Sequence, residues 1–334
     1  MTMAMRCSVI LPVHNKAPYL RECLDSILAQ HHSDYELLAV DDASSDESPA
    51  ILSSYTDPRL RVITLARNVG PGMAAQRAMD EAKGDVLLRV DADDVLHPDR
   101  FTKQVALLRE RPEIGLCGTA IALVHDPATV RRNPGSDADI RAQLLFGVGV
   151  YQPTMAVRRS VVATQGIKYR EDWPWYGEDW LFQLDLIRAT QAANIDEPLL
   201  MYREGPQNMA HGRDRRTDLA DLHRRVLQAF GSAPPTDEQL ALHAWSVKFF
   251  REPPTPGTVI AYREWLTYLI GASHLVEMPQ VALERRVERA WEELYHHLVP
   301  FGPRVLAAYL AAGGKLGAAR AYYALRMWMK RQPS

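Results

Sequence analysis

A chain of 334 residues, 47% hydrophobic and 24% charged, is long enough to bury a large core and to form one large domain with a smaller companion. Its formal net charge of -2 provides no overall basic field for nucleic acid. Cys7, Cys23 and Cys117 are scattered and lack CxxC spacing, so neither a disulfide framework nor a structural zinc site is expected, and a reducing cytoplasm fits.

Along the chain, the first part alternates strand and helix patterns. MTMAMRCSVILPV has too short an apolar stretch for a signal peptide, and CSVILPV (Cys7 to Val13) reads as a buried strand. Leu20, Cys23, Leu24, Ile27 and Leu28 follow at helical spacing. ELLAV (Glu36 to Val40), a helix near Ser48 to Tyr55, RVITL (Arg61 to Leu65), a helix near Met73 to Ala82 and DVLLRV (Asp85 to Val90) continue the rhythm. A helix from about Pro98 to before Pro112 and a strand through Gly115 to Val124 complete it. This order predicts an α/β architecture, a mostly parallel sheet flanked by helices. From about Asp214 the pattern turns helical, with segments near 214–230, 237–250, 259–274, 280–299, 303–310 and 316–331 separated by Pro- and Gly-rich loops. No apolar run is long enough to span a bilayer, so a soluble or peripheral protein is expected.

Polar groups gather where the predicted strands end. After the first come Pro12, His14 and Asn15; after the second, Asp41 and Asp42; after the third, Arg67 and Asn68; after the fourth, Asp91, Asp93 and Asp94 of RVDADD. Open α/β sheets bind ligands at such ends. Carboxylates this close repel one another unless a positive group neutralises them, as a hard divalent cation carrying a diphosphate would. A solvated acidic turn or a helix N-cap is the alternative for each Asp cluster alone. No GxGxxG or GxxxxGK[ST] pattern follows any strand, which argues against a dinucleotide dehydrogenase and a P-loop enzyme.

SVILPVHNKAPYLRECLDSILAQ (Ser8 to Gln30), LLAVDDASSDES (Leu37 to Ser48), RNVGPGMAAQRAMDEAKGDVLLRVDADD (Arg67 to Asp94) and YGEDWLFQLDL (Tyr176 to Leu186) together resemble the family 2 glycosyltransferases of the GT-A fold, bacterial polysaccharide and glycolipid type. The resemblance implies a GT-A catalytic domain over 1–213, with a nucleotide-sugar half to about 125 and an acceptor half beyond it, followed by a helical region over 214–334. It also implies that Pro12, His14, Asp41 and Asp42 hold the nucleoside, with Arg67 and Arg77 as further donor contacts. Asp91 would meet the ribose or sugar side, and Asp93 would coordinate Mg²⁺ or Mn²⁺ bridging the phosphates. His211 is a further candidate ligand; a solvated loop histidine is the alternative. One departure is Gln76, where many relatives carry Asn.

The pair Glu178-Asp179, among Trp173, Trp175, Tyr176 and Trp180, is the second chemical signal. Aromatic surface suits a sugar face, and partial desolvation raises carboxyl pKa values. Asp179 is the expected base and Glu178 an orienting group, although acidic residues also favour any helix N-terminus. The implied reaction is a single inverting displacement that moves a sugar, from a UDP-sugar by family habit, to a saccharide or lipid-linked acceptor. Arg158, Arg159 and Arg203 are candidate phosphate contacts. From Phe301 onward basic residues interleave with aromatic ones and acidic residues are absent. Such a helix could rest on an anionic membrane, peripheral to the inner face, or pack on the catalytic domain or a second subunit. A nucleotidyltransferase on a related fold and a nucleotide-sugar-binding scaffold are the alternative functions; no aromatic and basic groove points to nucleic acid.

Overall fold

The computed structural model describes residues 5–205, 216–231, 233–250, 252–272 and 278–329. Two compact units divide the chain: Met1–Ile140 with Val148–Arg215, and Arg141–Gly147 with Arg216–Ser334.

The first unit opens with β1 (Cys7–Val13), α1 (Ala17–Leu28), β2 (Tyr35–Asp41), α2 (Ser48–Ser53), β3 (Leu60–Thr64), α3 (Pro71–Glu81) and β4 (Val86–Arg89). β1 and β4 are near-continuous apolar runs because helices cover both faces of a parallel sheet. α1 turns Leu20, Cys23, Leu24 and Ile27 into that core. Each fully buried Leu or Ile side chain stabilises the unit by about 1.5–3 kcal/mol. β5 (Val95–Leu96), α4 (Arg100–Glu110), β6 (Ile114–Leu123), β7 (Asp126–Arg131), α5 (Asp137–Leu144, counted with the second unit from Arg141), β8 (Ala156–Arg158), α6 (Arg159–Gln165), α7 (Glu178–Ile187) and β9 (Gln191–Tyr202) follow.

The sheet runs β3-β2-β1-β4-β8-β6-β9-β5, with β7 beside β6. β1 to β4 pair in parallel, as expected for the nucleotide half. Beyond β4 the sheet is mixed: β8 runs antiparallel to β4 and β6, whereas β9 is parallel to β6. Pairing of β1 with β4 ends at Ile10 opposite Arg89, so Pro12, further along β1, costs that side no ladder hydrogen bond. β1 therefore runs past its neighbour, and its polar C-terminal end stands beside Asp41 at register Val13–Asp41.

The second unit is helical among its described residues: α8 (Arg216–Ala229), α9 (Asp237–His243), α10 (Pro256–Ala272), α11 (Gln280–Leu298), α12 (Pro303–Ala311) and α13 (Ala318–Met329). Thr236 starts α9 with a capping box, its hydroxyl accepting from the N–H of Gln239. Burial pulls the His243 imidazole down to about 4, and the ring is held neutral between Trp265 Nε1, 3.2 Å from Nδ1, and the Leu145 carbonyl, 2.9 Å from Nε2. No helix of the described residues is long and apolar enough to cross a membrane.

Candidate active site

The ends of β1, β2 and β3 are tied together before any ligand enters. Asp42 is buried, and its carboxylate accepts from the N–H groups of Val69 at 2.8 Å and Gly70 at 3.0 Å. Burial raises its pKa while those two donors oppose the rise. Asp41 Oδ1 accepts from Ser44 N at 3.1 Å, closing the turn after β2. His14 Nδ1 lies 2.8 Å from the Asp42 carbonyl, and its Nε2 lies 2.9 Å from Asn68 Nδ2. The carbonyl can only accept, which assigns the ring proton to Nδ1. Pro12, His14, Asp41 and Asp42 thus converge, with each polar side chain already bonded inside the protein.

The DADD segment after β4 is held by cations from separate elements. Arg89 Nη2 lies 2.9 Å from Asp91 Oδ1, and Lys16 Nζ lies 2.6 Å from Asp93 Oδ2. Arg203, just past β9, donates its backbone N–H to Asp94 Oδ1 at 2.9 Å and its Nε to the Asp93 carbonyl at 2.9 Å. Buried Arg100 at the start of α4 donates Nη2 to the Arg89 carbonyl at 2.7 Å. Its guanidinium is pulled down to about 10 by burial and stays charged at neutral pH. Burial raises Asp93 despite Lys16, and raises Asp94 further, with Asp91 and Asp93 adding to the rise. Asp94 Oδ2 is buried without a partner. Among the described residues no three His, Cys, Asp or Glu side chains converge as a ready metal site, and His211 lies outside the described residues. The carboxylates of Asp91 and Asp93 are nonetheless hard oxygen donors of the kind Mg²⁺ or Mn²⁺ takes.

α7 brings the second carboxylate pair to the same place. Gly177 caps it at φ 88°, a conformation suited to glycine, so Glu178 and Asp179 open the first turn. A side chain at Gly72 would come within 3.0 Å of Glu178 Cγ and of the Tyr169 ring, which shows how closely α3 approaches this pair. Gln76 reinforces the contact, its Oε1 accepting from Tyr169 N at 2.9 Å and its Nε2 donating to Asp80 at 2.7 Å. Glu178 is buried with Oε2 unpartnered, and its pKa stands well above the usual range through burial and then Asp179. Asp179 is raised to about 6, chiefly by desolvation, with Asp91 adding to the rise and Arg89 opposing it. A cleft of about 430 Å³ opens beside Glu178, which lines it with Arg67, Asn68, Gln76, Arg77, Trp173 and Trp175 among others. Arg77 also pairs with Glu81 at 2.6 Å.

Arg158 and Arg159 face elsewhere. Arg158 donates to the carbonyls of Ile114 and Leu108, and Arg159 Nε to that of Gly84 at 2.6 Å. These carbonyls sit at the start of β6, in α4 and before β4, at the sheet end opposite the aspartates, because β8 runs antiparallel to β4. Lys16, Arg89 and Arg100 are the site groups that the sequence pattern did not single out.

Residues 8–165 match the glycosyl transferase family 2 description. This segment belongs to glycosyl transferase family 2. An uncharacterized glycosyltransferase of Haemophilus influenzae is 26% identical over 209 residues, 59% of this chain and 64% of its own length. The poly(ribitol-phosphate) beta-glucosyltransferase of Bacillus spizizenii is 39% identical over 217 residues, covering 60% of this chain and 33% of its own length. The chain therefore spans less than two thirds of these relatives. TarS of S. aureus, residues 1–349 in complex with UDP-GlcNAc, superposes with a TM-score of 0.61 at 20% identity, over 98% of this chain and 92% of that one. The mannosyltransferase PcManGT of Pyrobaculum calidifontis, with GDP-Man and Mn²⁺, gives 0.54 at 18% identity over 99% and 89%. At these identities the likeness establishes the GT-A fold, and the family 2 segment spans β1 to α6 within it.

Removing the buried carboxylate of Glu178, whose Oε2 has no partner, is expected to stabilise the fold. A group whose folded pKa is raised weakens folding as pH climbs above the unfolded carboxylate range. Glu178→Gln should therefore gain about 1–3 kcal/mol in denaturant melts at pH 8 and much less at pH 4.5. An equal or lower midpoint at pH 8 would contradict the upward shift that burial gives Glu178.

Proposed function

We propose that this chain moves a sugar from a nucleotide-sugar donor, a UDP-sugar, to a hydroxyl of a saccharide or lipid-linked acceptor, with inversion at the anomeric carbon. The main support is that the DADD segment and the Glu178-Asp179 pair, distant in sequence, share electrostatic neighbours. Asp91 pushes up both Glu178 and Asp179, and Arg89 holds both down. This shared field supports assigning the donor-phosphate groups and the base to one site, as a direct displacement requires.

In this reading Asp41, Asp42 and the loop they secure receive the nucleoside, with Pro12 and His14 shaping the floor. Asp93, with Asp91 beside it, would hold Mg²⁺ or Mn²⁺, which when bound neutralises the diphosphate oxygens. Lys16 occupies one oxygen of Asp93 and would have to yield there or turn toward the phosphates. Arg67 and Arg77, lining the cleft, would add positive charge near the leaving group. Asp179 accepts the proton of the acceptor hydroxyl as its oxygen bonds to the anomeric carbon. The bond from that carbon to the phosphate oxygen breaks, and the nucleoside diphosphate leaves with the electron pair. A pKa near 6 keeps most of Asp179 ionised at neutral pH while retaining affinity for a proton. Trp173 and Trp175 offer aromatic surface to a sugar ring.

The UDP-GlcNAc bound by TarS and the GDP-Man and Mn²⁺ bound by the mannosyltransferase define the comparison to make. Calorimetry with UDP, GDP and dTDP, in Mn²⁺ and then in EDTA, should give tight binding of UDP that EDTA weakens at least about tenfold, and Asp93→Asn should match the EDTA result. Binding of no nucleotide under either condition would remove the donor assignment. Equal binding in EDTA would remove the metal.

A further inference from the structure

We propose that the outward face of α13 docks on an anionic phospholipid surface. Ala318, Tyr322, Leu325 and Met329 recur at helical spacing and line one side of the helix. All are exposed, Tyr322 at 65%, Leu325 at 54% and Met329 at 60%. The other side is already fastened within its unit. Ala324 is buried, Trp328 Nε1 donates to the Val299 carbonyl at 2.9 Å, and Tyr295 Oη donates to the Arg320 carbonyl at 2.6 Å. The Tyr323 ring meets His296 edge-on at 4.8 Å. The apolar stripe is thus not the side by which this helix packs on its neighbours.

Charge selects the occupant. From Phe301 to Ser334 the sequence carries Arg304, Lys315, Arg320, Arg326, Lys330 and Arg331 and no Asp or Glu. Glu292 of α11 pairs with Lys315 at 2.8 Å and stands 3.9 Å from Arg320, so one acid offsets a small part of this excess. Two copies meeting through this stripe would bring Arg326 and its basic neighbours together with no acid in the segment to compensate. A zwitterionic bilayer would take the apolar stripe and offer no counter-charge to the cations that Glu292 does not engage. Anionic headgroups satisfy both features, with Tyr322, Leu325 and Met329 entering the acyl boundary and the cations remaining among the phosphates. The helix would lie in the interface plane.

The test sediments the full chain with vesicles of phosphatidylcholine, alone or with phosphatidylglycerol. Wild-type protein should pellet with the phosphatidylglycerol vesicles, stay in solution with phosphatidylcholine alone, and be released by salt. Leu325→Glu and Arg326→Glu should each lower partitioning by about tenfold or more, with helical circular dichroism unchanged because both positions are exposed. Should Leu325→Glu disturb the helix, Arg326→Gln supplies the same comparison. Wild-type protein left in solution with anionic vesicles, or partitioning unaltered in the charge variants, overturns the proposal. A dimer that Leu325→Glu dissociates, with no vesicle binding, gives the face to a second copy instead.

Discussion

Asp179→Asn is expected to bind donor as well as the wild type and to lose transfer by about 10²–10⁴ in kcat, or about 3–5 kcal/mol of barrier. The amide keeps the shape of the side chain and its place in the first turn of α7, but it cannot accept a proton. Wild-type kcat/KM should rise with pH through an acid limb near 6, because Asp179, raised to about 6 by desolvation, works as the anion and is silenced when protonated. That limb should be missing from the residual activity of the variant. Neighbouring Glu178 is pushed well above the usual carboxylate range, by burial and then by Asp179. Wild-type turnover in Asp179→Asn, together with an unchanged limb, would transfer the base to Glu178. Stopped-assay rates across pH 4.5 to 8.5 with the cognate donor separate these outcomes.

Much of the nucleotide half was legible because its signals are local. β1 and β4 are unbroken apolar runs, and α1 shows its core face as Leu20, Cys23, Leu24 and Ile27. Other strands carry a signal too short or too mixed to mark them: β5 is two residues, β7 is largely exposed, and β9 carries Asp196, Glu197 and Pro198 in its middle. Their pairing is set by long-range register, which periodicity does not report. The acidic residues of the candidate site were visible as motifs, whereas their counterions were not. Lys16 in a loop resembles any solvated lysine until the fold places it 2.6 Å from Asp93. Two signals were available. Arg89 interrupts an apolar strand next to three aspartates, and Arg100 stands at a helix N-terminus, where the dipole disfavours a cation unless acids are close. Arg158 shows the reverse failure, since its place in the sequence suggested phosphate and the antiparallel run of β8 aims it at backbone carbonyls.

Asp42→Ala is expected to be the most destabilising single change among the strand-end carboxylates, and it should weaken the donor site at the same time. Both Asp42 oxygens are in use, accepting from Val69 N and Gly70 N. Alanine leaves the Val69 N–H without its acceptor, while the Gly70 N–H keeps Asn68 Oδ1 at 3.0 Å, and a buried N–H deprived of its partner costs about 1–3 kcal/mol. The expected loss is therefore about 1–3 kcal/mol in denaturant melts, reduced where water can enter. The loop released by the change includes Arg67 and Asn68, which line the cleft, and Asn68 also holds His14. Gly70 itself, at φ 87°, lies under the Trp175 ring, where a side chain would come within 2.9 Å of the indole. Loosening this loop should thus disturb both the proposed nucleoside floor and the aromatic wall. Asp42→Asn separates the two roles, because its one carbonyl oxygen can still serve one N–H while its amide opposes the other. The asparagine variant should fall between wild type and alanine in stability, with nucleotide affinity following the same order. An alanine variant as stable as wild type would show that Asp42 contributes nothing to the loop and faces the ligand alone. Intact stability with lost nucleotide binding would point to the same conclusion by a separate measurement.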